Sequence, residues 1–186
     1  MSKSKFDPKK HHRRSIRLQG YDYSQAGAYY VTIVTYQRDC LFGEIVNEEM
    51  ILNDFGKIAD ECWCALPEHF PLVELGAYVV MPNHVHGIIV IHDSGRGAAM
   101  LRPYDDHNPR KINVKPGSLG AIVRSYKSAV SYRINKEHNA TGIWQRNYYE
   151  HIIRDEKDLK NKTDYINANP SLWDEDDNNP QNLQIQ

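Results

Sequence analysis

Two histidines separated by a single residue are the first candidates for chemistry in this sequence. His84 and His86 follow Pro82 and Asn83, between two apolar, β-prone runs. This pattern predicts a strand, a tight turn and a second, antiparallel strand. Side chains on a strand alternate between its two faces, so both imidazoles point the same way and could chelate one divalent metal ion. A bare His-x-His pair also occurs often by chance, so the pair alone does not distinguish a metal site from two structural histidines.

A tyrosine and an asparagine near the C-terminus are the second candidates. Tyr165 and Asn169 are four residues apart in a predicted helix, hence on one face. A phenol is a weak nucleophile at its usual pKa of about 10, and a metal-polarised phosphodiester is a better electrophile for it. The amide oxygen of Asn169 could complete a metal site with the histidines. On pattern alone, a half-buried aromatic is the favoured interpretation of Tyr165 in a chain with twelve tyrosines, and Asn169 before Pro170 could equally end the helix.

The elements expected to position these residues alternate between strand and helix. Apolar spacing predicts a strand at 28–36, a helix at 51–66, strands at 70–80 and 84–91, a helix at 118–138, a strand at 144–153 and a last helix from 155 or 156. The order β-α-β-β-α-β-α indicates an α+β fold. It predicts a ferredoxin-like antiparallel sheet with both earlier helices on one face and an added C-terminal helix that carries Tyr165.

The chain is predicted to form one domain with polar extensions. Its 186 residues are enough for a single substantial core. Residues 1–27 are predicted as a basic N-terminal arm, residues 28–173 as the domain and residues 174–186 as an acidic tail. Within the domain, residues 93–117 form a long loop rich in Gly, Pro and charge, and loops of that length are usually functional or disordered.

Basic residues are concentrated locally although the formal net charge is only −1. Local basic surface matters more than net charge for binding a polyanion. The N-terminal run is equally compatible with a solvated tail. The candidates for contacts with DNA phosphates are Arg13, Arg14, Lys115, Arg124, Lys127 and Arg133.

The cysteines and the hydropathy pattern point to a protein of the cytoplasm. Cys40, Cys62 and Cys64 form no disulfide or zinc-finger pattern. No apolar run approaches the ~20 residues of a membrane-spanning helix, and the basic N-terminus lacks the apolar segment of a signal peptide. We therefore expect a cytoplasmic, nucleoid-associated protein that makes no contact with membranes.

Three sequence blocks resemble a known family. The block VMPNHVH at residues 80–86 resembles the His-hydrophobic-His signature of the single-tyrosine HUH transposases. The blocks WQRNYYEHIIRD at 144–155 and YINANP at 165–170 resemble the C-terminal half of the REP-associated branch of that family. The resemblance covers about residues 25–173, with the blocks in the family's order and spacing.

The resemblance implies a mechanism and a partner. It implies that His84 and His86 bind Mg²⁺ or Mn²⁺ and that Tyr165 is the nucleophile. Asn169 matches an additional metal-side polar residue that is often Gln in relatives from insertion sequences. Such enzymes cut single-stranded DNA near hairpins, leaving a 5′-phosphotyrosine and a free 3′-OH, and can reseal the bond to another end without an external energy source.

Several alternatives remain open at this stage. An HUH replication initiator or relaxase would share the chemistry, and a host-adopted protein could bind or process repeat hairpins. A zinc hydrolase using His84 and His86 lacks an evident third ligand at metal-ligand spacing. The protein could act as a monomer or a homodimer. The short link from Ile153 to Tyr165 favours a tyrosine helix that docks in its own subunit, and hence a monomer.

Overall fold

The computed structural model describes residues 18, 20–93 and 115–182 of the chain. The strands are β1 (Gly27–Val34), β2 (Gly43–Val46), β3 (Glu49–Leu52), β4 (Val73–Met81), β5 (His84–Ile91) and β6 (Tyr149–Ile153). The helices are α1 (Asp54–Cys64), α2 (Leu66–His69), α3 (Leu119–His138) and α4 (Glu156–Ala168). Short 3₁₀ turns span Tyr36–Arg38 and Trp173–Glu175.

The main sheet has four antiparallel strands in the order β4-β5-β1-β6. The first strand thus lies in the middle of the sheet, between the strand that carries the histidines and the last strand. Leaving aside the β2–β3 hairpin, this is the arrangement that a β-α-β-β-α-β chain adopts in a ferredoxin-like sheet. The α+β prediction and the antiparallel sheet are confirmed.

The segment before α1 differs from its prediction. Ile51 and Leu52 were expected to begin the first helix, but they lie in β3, which pairs with β2 in a separate hairpin. The hairpin turns at Asn47 and Glu48, whose φ angles of 52° and 65° suit a tight two-residue turn. Asn53 ends the hairpin and caps α1, its side chain accepting a hydrogen bond from the Gly56 amide at 3.0 Å. The apolar spacing i, i+3, i+4 continues by chance across this strand-to-helix boundary.

Three predicted strands are shorter in the structure, and one of them, β4, begins at Val73 rather than at residue 70. The first ends at Val34, because Gln37 and Arg38 have φ angles of 54° and 61° that no strand accommodates. The last begins only at Tyr149, and Trp144 makes no more than an isolated bridge with Thr35. The segment between Trp144 and β6 is therefore an irregular stretch beside the sheet.

The two faces of the sheet are covered differently. Helices α1 and α3 pack together on one face, where Trp63 and Tyr126 are fully buried among apolar strand residues. A Cβ atom at Gly87 would lie only 2.2 Å from Cζ2 of Trp63, so this glycine allows the indole to lie directly against β5. Helix α4 lies on the other face, where Ile166 packs against Tyr30 and Ile88.

No helix within the described residues is both long enough and apolar enough to cross a membrane.

Candidate metal and nucleophile site

Two histidines and one aspartate meet on the α4 face of the sheet. His84 and His86 project from β5, and Asp176 arrives from the segment after α4. One potential ligand atom from each residue lies within 4.8 Å of the others. All three residues are buried, and His84 Nε2 is 3.9 Å from Asp176 Oδ2. This set of two imidazoles and a carboxylate can hold a divalent metal ion.

Hydrogen bonds at the Nδ1 atoms fix the orientation of both histidines. His84 Nδ1 lies 2.8 Å from Asn83 Oδ1, and an amide oxygen can only accept, so His84 carries its proton on Nδ1. His86 Nδ1 lies 2.7 Å from the Tyr30 hydroxyl and 2.9 Å from Thr32 Oγ1. Metal-binding histidines are typically held in this way through the nitrogen that does not bind the metal.

The Nε2 atoms on the opposite side of both imidazole rings receive no hydrogen bond from the described residues. Neither His84 Nε2 nor His86 Nε2 has a hydrogen-bond partner among the described residues, although both atoms are buried. A buried polar atom without a partner costs roughly 1–3 kcal/mol, so such pairs of atoms usually have a ligand. A metal ion between them would satisfy both.

The protonation state of the histidines also suits a metal. Burial lowers the pKa of His84 to about 4, although the Asp176 charge opposes the shift. Burial, followed by the charges of His84 and Lys162, lowers the pKa of His86 well below its usual value. Both imidazoles are therefore neutral at pH 7, which is the form that binds metal.

Asn169 connects the metal site to the tyrosine helix. Its Nδ2 donates a hydrogen bond to Asp176 Oδ2 at 3.1 Å, while its buried Oδ1 has no hydrogen-bond partner among the described residues. The structure thus places Asn169 beside the histidines, as the sequence led us to expect. Whether its oxygen binds the metal directly stays a prediction.

Asp176 is the residue that sequence reasoning missed. It lies among Asp174, Glu175 and Asp177 in the segment interpreted only as an acidic tail. Asn83 Nδ2 donates to the Asn178 carbonyl at 2.8 Å, and Arg38 Nη1 donates to the Asp177 carbonyl at 2.6 Å. These bonds fasten the segment across the edge of the site. The only sequence signal for Asp176 was its charge, which its exposed neighbours share.

Tyr165 is positioned by the two ends of α4. Near the start of the helix, Asp158 pairs with Nε2 of His151 on β6 at 2.8 Å, and near its end Ile166 is buried against the sheet. The centre of the Tyr165 ring lies 5.3 Å from the centre of the His86 ring, and 41% of Tyr165 remains exposed. Burial, together with the Asp176 charge, raises the pKa of its phenol above the usual value of 10, while a contact with the Asn169 side chain opposes the shift.

An open cavity of about 470 Å³ lies in front of these groups. His86 and Tyr165 form part of its wall, as do residues 145, 147 and 148 of the irregular segment before β6. A phosphodiester entering this cavity would meet the nucleophile candidate and one imidazole of the pair. The cavity is also lined by Tyr30, Thr32, Arg38, Lys162, Asp177 and Asn178.

Tyr126 is placed less well for attack on such a phosphate, whereas Tyr149 is a rival candidate. Tyr126 is fully buried on the opposite face and donates a hydrogen bond to the Ala59 carbonyl at 3.2 Å. Tyr149 lines the cavity from β6 and is 47% exposed. It is the appropriate control residue for Tyr165.

The predicted phosphate-binding residues that the structure describes lie away from the histidines. Helix α3, with Arg124, Lys127 and Arg133, lies on the other face of the sheet. Arg133 pairs with Glu61 at 2.7 Å, and Lys115 pairs with Asp22 at 2.9 Å. Lys127 donates to the backbone carbonyls of residues 145 and 147, and burial lowers its pKa to about 8. Arg124 is exposed, while Arg13 and Arg14 lie outside the described residues.

Two proteins of Haemophilus influenzae are similar to this chain in sequence. The chain is 42% identical over 175 residues to a Haemophilus influenzae protein described as "Uncharacterized protein", which covers 93% of this chain and 96% of the relative. It is 27% identical over 149 residues to a "Putative REP-associated tyrosine transposase" from the same organism, covering 80% of this chain and 73% of the relative. No protein-family model matches the chain.

A solved structure shares the fold. The "Structure of the REP associates tyrosine transposase bound to a REP hairpin" superposes with a TM-score of 0.57 at 21% identity. The match covers 86% of this chain and 73% of the other. The fold of this chain is therefore that of the solved REP-associated tyrosine transposase. The comparisons confirm the resemblance to the REP-associated tyrosine transposases that the sequence blocks indicated.

Proposed function

We propose that this protein is a metal-dependent enzyme that cuts hairpin-bearing single-stranded DNA and transfers the cut strand through a 5′-phosphotyrosine intermediate. The observation that carries the proposal is the position of Tyr165, half-exposed in an open cavity and 5.3 Å from the ring of His86. The related solved structure, described as bound to a REP hairpin, supports hairpin DNA as the partner.

The residues present fit a divalent metal ion. The unpaired Nε2 atoms of His84 and His86 and the carboxylate of Asp176 would hold Mg²⁺ or Mn²⁺, with Asn169 Oδ1 as a further oxygen donor. When bound, such an ion withdraws charge from a phosphate oxygen and makes the phosphorus a better electrophile. Asn83, Tyr30 and Thr32 orient the two imidazoles toward the ion's position.

The chain's own residues account for the covalent step. The phenolic oxygen of Tyr165 attacks phosphorus, the bond from phosphorus to the 3′-oxygen breaks, and that oxygen takes up a proton as it leaves. The phenolic proton is released, and the carboxylate of Asp176, whose charge acts on this phenol, can accept it. One phosphodiester replaces another, so a later 3′-OH can reverse the reaction on a different end.

The proposed site is complete within one chain. The His84–His86 pair, Asp176 and Tyr165 all come from the same subunit. This supports a monomer acting with its own tyrosine helix. Mixing a His84→Ala protein with a Tyr165→Phe protein should therefore restore no cleavage. Restored cleavage would show that the site is shared between two subunits.

The direct test is to trap the covalent intermediate. The protein is incubated with hairpin-bearing single-stranded DNA and Mg²⁺ or Mn²⁺, denatured and analysed by gel and by mass spectrometry. The wild type should form a denaturation-resistant adduct with the 5′-phosphate on Tyr165, and Tyr165→Phe should form none. Tyr149→Phe, the control, should form the adduct as the wild type does. An adduct on Tyr149, or one that persists in Tyr165→Phe, would overturn the assignment.

A metal-dependent hydrolase is the second candidate, because Asp176 supplies the third ligand that the sequence did not reveal. Two imidazoles and a carboxylate also suit an ion that activates water. This candidate predicts cleavage without an adduct, and equal cleavage by Tyr165→Phe. The adduct assay therefore decides between the two functions.

A further inference from the structure

Lys162 is a cation in the cavity that the chemistry above does not use. It lies on α4 three residues before Tyr165, so the two side chains share one face of the helix. Lys162 lines the same cavity as Tyr165 and His86, and its side chain is half-buried. The cavity wall therefore carries a nucleophile candidate and a positive charge side by side.

The surroundings hold the Lys162 ammonium near the metal site without a direct ion pair from the described residues, since Asp158, whose carboxylate interacts with the Lys162 charge at longer range, pairs with His151. Its Nζ atom lies 4.9 Å from the centre of the Tyr30 ring, a cation–π distance. Tyr30 is also the residue whose hydroxyl contacts His86 Nδ1. No carboxylate within the described residues lies within 4.0 Å of the Lys162 ammonium. Most other lysines and arginines with assigned roles here have partners, for example Lys115 and Arg133.

The charge balance of the cavity explains why such a cation is useful. Asp176 lies beside Tyr165 and its charge raises the pKa of the phenol. A phosphodiester brings a further negative charge, and the attack moves more negative charge onto the oxygens around phosphorus. A cation fixed beside the nucleophile stabilises that charge more in the transition state than in the ground state.

We propose that Lys162 is a catalytic residue whose ammonium binds a non-bridging oxygen of the phosphodiester attacked by Tyr165. The inference rests on the proposed function and adds a residue to it. In the step, the ammonium donates a hydrogen bond and gives up no proton, so the balance of bonds described above is unchanged. The metal site and Lys162 then flank the phosphate from two directions.

The test compares three variants in single-turnover cleavage of a hairpin-bearing single-stranded oligonucleotide. Lys162→Met removes the charge and keeps the apolar stem, and Lys162→Arg keeps the charge. Lys160→Met is the matched control, since Lys160 lies on the same helix and is exposed. Lys162→Met should slow the formation of the adduct about 100-fold. Lys162→Arg should recover part of the rate, while Lys160→Met should match the wild type, and all three should bind the hairpin normally.

A modified substrate distinguishes contact with the phosphate from a structural effect. A methylphosphonate at the cleaved position replaces one non-bridging oxygen by a methyl group and removes the negative charge. If Lys162 acts on that oxygen, wild type and Lys162→Met should react at nearly equal rates with one of the two separated stereoisomers. A difference of about 100-fold that persists with both stereoisomers would assign Lys162 a structural role.

The adduct assay distinguishes an error in the role of Lys162 from an error in the proposed function. A wild type that forms an adduct while Lys162→Met forms it equally fast would overturn the role of Lys162 alone. A wild type that forms no adduct would overturn the phosphotyrosine mechanism, and the role of Lys162 with it.

Discussion

The two faces of the four-stranded sheet differ in chemistry although the same strands build both. On β5, Val85 and Ile89 point toward α1 and α3 and are buried in a continuous apolar core. Their neighbours His84 and His86 point toward α4 and the C-terminal segment, and each is equally buried. Alternation along one strand therefore places a hydrophobic core and a polar site back to back.

The difference shows which face is built for stability and which for binding. The apolar face is stabilised mainly by close packing, although the indole Nε1 of Trp63 is buried there without a hydrogen-bond partner among the described residues. The α4 face has a small apolar cluster around Ile166, and Nε2 of both histidines is buried there without a hydrogen bond from any residue that the structure describes. Buried polar atoms without hydrogen bonds lower the stability of the fold. We therefore infer that the α4 face is less stable without a ligand and is built to bind one.

The largest effect should come from the histidines. Each substitution removes one of the proposed metal ligands. His84→Ala and His86→Ala should therefore each slow adduct formation more than about 100-fold, which is more than the loss usually caused by mutating a residue that only orients a ligand. Hairpin binding should be retained, because phosphate contacts supply most affinity for DNA. Val85→Ala, between them on the opposite face, should lower stability and keep cleavage. Equal cleavage by wild type and both histidine variants would refute the metal site.

The apolar face should give the largest effect on stability. Ile89 is fully buried in the main core, and Ile89→Ala should lower the free energy of unfolding by about 2–5 kcal/mol. Its neighbour Val90 is only partly buried on the α4 face, so Val90→Ala should cost less. Urea denaturation measures both. A larger cost for Val90→Ala would contradict the assignment of the main core to the α1–α3 face.

Acid should destabilise the protein through the polar face. The pKa of His84 is about 4 in the folded protein against 6.5 when free, so the unfolded chain binds more protons between these values. Stability therefore falls as the pH drops from 7 towards 4, by about 2 kcal/mol at pH 5 from this residue. Urea denaturation at pH 7 and pH 5, with a chelator present, should show this loss of unfolding free energy in the wild type and a smaller loss in His84→Gln. Equal losses in both would remove His84 as the cause.

The smallest effect concerns the outer surface of α3. Arg124 is exposed there, and Arg124→Gln should reduce the slope of log affinity against log salt by about one if that surface contacts a DNA phosphate. Arg133→Gln is the matched comparison, because Arg133 is paired with Glu61 and Glu137 and should leave the slope unchanged. A wild-type slope in Arg124→Gln would exclude the outer surface of α3 from the DNA interface.

Local patterns in the sequence were sufficient for the elements with long, regular periodicity. The alternation around His84 predicted β5 and its preceding turn, and the Ser118 cap with its apolar stripe predicted α3, which begins one residue later. The i, i+4 spacing also predicted that Tyr165 and Asn169 share a face of α4. Local spacing did not predict β2 and β3. This short hairpin is followed directly by α1, and the apolar residues of β3 fit the helical spacing of α1.

The sequence by itself determined the fold class, the paired histidines and the tyrosine candidate, because each depends on residues close together in the chain. Only the tertiary structure brought Asp176 to His84 and Lys162 to the Tyr30 ring. Asp176 is 92 residues after His84 and one of four neighbouring acids, so no spacing rule could select it. Its position depends on Asn83 and Arg38 holding the C-terminal segment across the sheet, and such contacts form only when the chain has folded.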